Sequence, residues 1–135
     1  VLSSGENIEP GPLEAALISS PLIEQVMLVG QDQKQLAVLV VPKKEALMIW
    51  AKGQGLNLQQ DLGGLYGGSD LRKRLRREIN NLLASRAGSR NEERICDVII
   101  VEPFTVENGL LTQTLKQRRE KIFARDFEAI SEIYR

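Results

Sequence analysis

The chain reads as an α+β domain, a small mixed β-sheet flanked by helices and preceded by a short N-terminal β-hairpin lobe. Three β-branched, apolar runs, LIEQVMLVG, QLAVLVVPK and RICDVIIVE, have the length and composition of strands. Between and after them lie stretches whose apolar residues recur at helical spacing. Taken in order, with the opening lobe counted first, the pattern is β, α, β, β, α, α, β, α, which suits a mixed sheet covered by helices.

Each element has its own reason. VLSSGENIEP predicts a short strand, a tight turn at Ser4-Gly5-Glu6 and a second extended piece, because Gly5 supplies the permissive backbone a sharp reversal needs. PGPLEAALISSP predicts a short helix, with Pro12 in the first turn, Leu13 and Leu17 on one stripe and Pro21 as the stop. The polar gap Gln31-Asp32-Gln33-Lys34 has the size of a hairpin connection between the first two runs. KKEALMIWAKG follows as a helix with Leu47 and Trp50 at helical spacing, Trp50 as core or helix-packing surface, and Gly53 at the C-terminal cap.

From Gly53 to Gly68 the chain holds six of its eleven glycines and no periodicity, so a mobile surface loop is expected there. Ser69 then caps a helix with Leu71, Leu75, Ile79 and Leu82 on one stripe, which leaves its arginines facing water. RICDVIIVE reads as a buried strand, and EPFTVENGLL carries Pro103 and the turn pair Asn108-Gly109. One last helix, from about Arg118, places Ile122, Phe123, Phe127, Ile130 and Tyr134 on one face.

At 135 residues and 42% hydrophobic content, residues 1–135 suit one domain with a genuine core. The start at Val1, with no basic and apolar leader, is what a fragment of a longer protein would show. The longest apolar runs are strand-sized, so no transmembrane segment is expected. The single cysteine, Cys96, excludes an internal disulfide and sits in apolar sequence as an inert thiol, which fits a reducing, cytoplasmic setting with peripheral membrane association of a longer protein left open. Histidine is absent, which removes Ser-His and Cys-His nucleophilic sites and His-bearing zinc sites. Eighteen basic and eighteen acidic side chains balance, so no whole-molecule attraction to nucleic acid is expected.

The charge is nevertheless clustered. Between Asp70 and Arg94 eight Lys or Arg stand against four Asp or Glu, and Arg72, Lys73, Arg76 and Arg77 form a candidate patch for an acidic partner. A solvated helix face is the simpler reading of such a run. With 4% aromatics there is no interleaving for base stacking. GGLYGGSDLRKR lacks both the GxxxxGK[ST] and the GxGxxG spacing, and Asp70 would repel a phosphate in the first turn, so a loop with a helix cap is the better reading. In NGLLTQTLKQRR, an extended run from Leu111 to Lys116 would put Thr112, Thr114 and Lys116 on one side and Leu111, Gln113 and Leu115 on the other. The leucines would anchor while Lys116 projects as a compact cation able to stabilise developing negative charge.

VLSSGENIEPGPLE and NGLLTQTLKQRR, in that order at the two ends of one domain, resemble the opening and terminal lysine motifs of the C-terminal domain of the adenylate-forming (AMP-binding) enzymes, the long-chain fatty acyl synthetase branch in particular. The resemblance implies a two-step ligase. A fatty acid and MgATP give an acyl-adenylate and pyrophosphate, and a phosphopantetheine thiol, of CoA or acyl carrier protein, then takes the acyl group. It also implies that ATP and Mg2+ are bound mainly by the chain's own N-terminal AMP-binding domain, outside this sequence, and that this domain alone is inactive. Lys116 falls on the adenylation lysine, and Gly5, flanked by Ser4 and Glu6, on the loop presented to the pantetheine channel once the domain rotates. Gln113 stands where the long-chain branch commonly has proline, and the hinge residue lies upstream of Val1. The alternative from a different class is a free-standing polyanion- or nucleic-acid-binding module that uses the arginine-rich helix.

Overall fold

The computed structural model describes residues 10–30, 36–55, 69–85 and 94–133. The expected opening hairpin with its Ser4-Gly5-Glu6 turn, most of the glycine-rich loop and the Gln31 to Lys34 connection lie outside the described residues. The elements are α1 (Pro10–Ile18), β1 (Ile23–Val29), β2 (Leu36–Pro42), α2 (Lys44–Gly53), α3 (Ser69–Ala84), β3 (Ile95–Ile100), α4 (Arg119–Arg125) and α5 (Phe127–Ile133). The sheet order is β1-β2-β3, with β1 antiparallel and β3 parallel to β2. This is the mixed sheet of an α+β domain, and no described helix is long and apolar enough to cross a membrane.

The unbroken apolar run LAVLVVP reads so because β2 is central and covered on both faces. Leu36, Val38 and Val40 join Leu13 and Leu17 of α1, Leu47 of α2 and Leu71, Leu75 and Ile79 of α3 in one core. Their neighbours Ala37, Leu39 and Val41 face a second core built with Phe104, Leu110, Leu111, Ile122 and Ile130. Period-two alternation thus splits one strand between two hydrophobic layers. The second layer carries the lysine segment.

Three local expectations are corrected. The fourth position of the α3 stripe is Leu83, 3% exposed, while Leu82 is only partly buried. A step of four from Ile79 turns the helix by about 40° from the buried direction, a step of three by about 60° the other way, so Leu83 lies nearer the sheet. The glycine that ends α2 in a left-handed conformation is Gly55, φ 77°, whereas Gly53 is the last helical residue. The final helix is two short ones, interrupted where Asp126 takes φ −103° and ψ 19°. That bend keeps Ile122 and Ile130 in the core but leaves Phe123 and Phe127 largely exposed, ring to ring in an edge-on contact at 5.8 Å. Tyr134 lies outside the described residues.

Candidate functional site

The segment leading to Lys116 is built by side chains that replace absent sheet partners. Asn108 accepts at Oδ1 from the Thr105 amide at 3.0 Å and from the Leu110 amide at 3.1 Å, and donates from Nδ2 to the Pro103 carbonyl at 3.0 Å. Gly109 supplies the left-handed residue at φ 80°. The chain then enters the second core with Leu110 and Leu111.

From there it turns back on itself. Leu111 pairs with Gln117 in an antiparallel bridge, and the Arg118 amide donates to the Leu110 carbonyl at 2.9 Å. At the tip the Leu115 amide donates to the Thr112 carbonyl and the Thr112 amide to the Lys116 carbonyl, each at 2.8 Å. Leu115 lies at φ 65°. This is a three-residue hairpin loop closed by a left-handed bulge residue, a place where glycine is usual. The Lys116 amide, which the bulge deprives of its strand partner, donates to Thr112 Oγ1 at 3.1 Å.

The expected extended run is therefore corrected: residues 112 to 116 form a hairpin tip. Leu111 anchors, but Leu115 does not, being 68% exposed. A left-handed residue costs a leucine on the order of 1 kcal/mol. Lys116 is exposed at the end of this tip, on a backbone held by Thr112.

The base of the hairpin is fixed to β1, an edge strand. Gln117 donates from Nε2 to the Val26 carbonyl at 2.7 Å. Glu14 of α1 accepts from the Leu28 amide at 2.7 Å with one carboxylate oxygen and pairs through the other with Arg119. Gln25 accepts from the Phe104 amide at 2.9 Å and donates to its carbonyl at 2.8 Å. On this edge the Val26 carbonyl is occupied by the segment bearing Lys116 and the Leu28 amide by Glu14 of α1, so neither is open for pairing. Glu14, Gln25, Gln117 and Arg119 were not singled out from sequence. Glu14 and Arg119 lie 105 positions apart and only folding joins them. Gln25, which with Glu24 interrupts an otherwise apolar run, was the one local signal.

Arg74, Arg76 and Arg77 of the arginine-rich helix are exposed as expected, but two of the helix's arginines also bond β3. Arg72 donates to the Val98 carbonyl at 2.9 Å and to Asp97 at 2.6 Å, Arg76 donates to the Cys96 carbonyl at 3.0 Å, and Asn80 brackets Ile95. These side chains, one helical turn apart, cover the outer edge of β3. Lys73 and Arg77 are exposed. Cys96 is half-buried, and burial first, then the Asp97 charge, pushes its thiol above the usual range, as suits an inert cysteine. The structure does not bring Lys116 together with the α3 patch, and Ser4, Gly5 and Glu6 lie outside the described residues. No group of three Cys, Asp or Glu able to hold a metal is present among the described residues.

Residues 1–54 match the family model described as the AMP-binding enzyme C-terminal domain. A chloroplastic protein of Arabidopsis thaliana, named a probable acyl-activating enzyme, is 35% identical across all of this chain, which covers 18% of that protein. A chloroplastic long-chain-fatty-acid–[acyl-carrier-protein] ligase of the same plant is 32% identical over 99% of this chain and 16% of its own length. The chain thus spans less than a fifth of the length of either of these relatives. Among solved structures, the A domain of carboxylic acid reductase from Segniliparus rugosus, in complex with AMP and a carboxylic acid, superposes with a TM-score of 0.78 at 31% identity, over 98% of this chain and 19% of that one. With the opening segment inside the matched family model, and the fold and sequence similar to these enzymes along the whole chain, the chain belongs to the C-terminal domains of the AMP-binding enzymes.

Proposed function

We propose that this domain is the C-terminal lid of a fatty acid ligase that converts a long-chain fatty acid and ATP to acyl-adenylate and pyrophosphate, then passes the acyl group to a phosphopantetheine thiol. The observation that carries the reading is the Lys116 hairpin. An exposed cation stands at the tip of a short turn whose base is bonded to β1 and α1. Such a projection suits insertion into a site on another domain.

In the first step a carboxylate oxygen attacks the α-phosphorus of ATP and the bond to pyrophosphate breaks. Negative charge moves between two anions, and a fixed ammonium in a site closed to water stabilises it. Lys116 supplies that cation. The nucleotide, Mg2+ and fatty acid are held by a large N-terminal AMP-binding domain. After rotation, Gly5 with its neighbours Ser4 and Glu6 presents backbone to the pantetheine channel, the two faces serving the two half-reactions. The ligase name of one relative supports acyl carrier protein as an acceptor beside CoA, and exposed Lys73 and Arg77 could meet an acidic carrier. The cytoplasmic setting expected from the sequence belongs to this proposal; both plant relatives are chloroplastic. The polyanion-binding alternative is the weaker one, because Arg72 and Arg76 are engaged along β3.

The test is Lys116→Ala in the full-length enzyme. Pyrophosphate release with fatty acid and ATP falls by about 10²-fold or more, while thioester formation from supplied acyl-adenylate stays near native. Equal loss in both steps removes the assignment. Replacing Gly5 with leucine gives the opposite split, and parallel assays with CoA and holo acyl carrier protein identify the acceptor.

A further inference from the structure

Leu115 is the only non-glycine residue with positive φ among the described residues, and the same residue is 68% exposed. Its backbone is strained and its side chain gains nothing from burial within the domain. Glycine would relieve the strain, and asparagine would lessen it while suiting water. Neither stands there. The isobutyl group sits at the bulge of the hairpin, directly before Lys116, so wherever the lysine is inserted the leucine goes with it.

We infer that Leu115 is a positioning residue for Lys116. On closure its isobutyl group buries against an apolar wall beside the carboxylate end of the fatty acid, and the hairpin tip is thereby held at one depth. This rests on the reading of Lys116 as the adenylation cation. The chemistry of the proposed surface is apolar, because only burial on a partner recovers what an exposed leucine forgoes in the free domain. The strained backbone supports the same conclusion: an outlier persists at an exposed tip when the side chain it carries is needed there.

Two substitutions separate the side chain from the backbone. Leu115→Asn keeps a residue at ease with positive φ but removes the apolar group. Leu115→Met keeps an apolar group of similar volume and leaves the strain. In full-length enzyme the inference expects Leu115→Asn to melt at or above the native temperature, to lose tenfold or more in adenylation and to retain thioester formation from supplied acyl-adenylate. It expects Leu115→Met to stay within threefold of native in both steps. Native-like adenylation by Leu115→Asn, or equal loss by both variants, overturns it. Lys116→Ala run alongside distinguishes the two levels: if that variant loses adenylation and Leu115→Asn does not, only the role of Leu115 falls. If Lys116→Ala retains adenylation, the proposed function falls and the role of Leu115 with it.

Discussion

Gln117 donates from Nε2 to the Val26 carbonyl at 2.7 Å, joining the residue after Lys116 to the outer edge of β1 across 91 positions of sequence. The amide is half-buried and its bond is short, so it positions the base of the hairpin as well as closing an open strand edge. Gln117→Ala should lower stability by about 1–2 kcal/mol, since the Val26 carbonyl loses its partner. It should also slow adenylation, by roughly tenfold or about 1.4 kcal/mol of barrier, with the thiol step little changed. Denaturant unfolding and the two half-reactions measure these separately. A stability loss with adenylation untouched would show that Gln117 only seals the edge.

The two glycines at the end of α2 should respond in opposite directions. An added Cβ meets nothing within 4 Å at either position, so sterics do not distinguish them. Gly55 stands at φ 77° and Gly53 is helical. Gly55→Ala should cost about 1 kcal/mol from strain, and Gly53→Ala should gain about 0.5 kcal/mol by restricting the unfolded chain. Melting temperatures moving in the same direction for both variants would contradict this placement of the cap.

Cys96 makes stability depend on alkaline pH. Its thiol is raised above the ordinary 9.0, by burial first and by the charge of Asp97 second. The folded state therefore holds the proton longer than the unfolded chain. The resulting stabilisation is fully present below the unfolded value, and raising the pH through the folded value loses it. Stability should decline above about pH 9, and Cys96→Ala should flatten that part of the profile. Alkylation of the native thiol at pH 8 should be slower than that of the unfolded chain by roughly tenfold or more. Equal labelling rates in the two states would refute the placement of this thiol.

Much of the fold was legible because burial imposes a period on the sequence. The central strand could be read from LAVLVVP alone, since a strand covered on both faces has no polar alternation to show. The stripe Leu71, Leu75, Ile79 was equally plain. The place of Leu83 in that stripe and the break at Asp126 were not legible, because helical spacing tolerates steps of three or four and does not say where a chain bends. For the site, Lys116 was identified as a projecting cation, but on an extended strand with Leu115 as an anchor. The left-handed turn at Leu115 was hidden because that position usually carries glycine, and here it does not.

The sequence by itself determined the α+β class, the apolar faces of the elements, the lysine as the candidate cation and the family resemblance of the two terminal motifs. These follow from local period, residue chemistry and short spacing. Only the tertiary structure decided that Gln117 and Glu14 bind the backbone of β1, that Arg72 and Arg76 cover the edge of β3, and that Leu115 stands in water beside Lys116. Hydrogen bonds between residues far apart in the chain leave no periodic trace. They arise because every strand edge needs partners for its amides and carbonyls, and which side chains reach them is settled by how the layers pack.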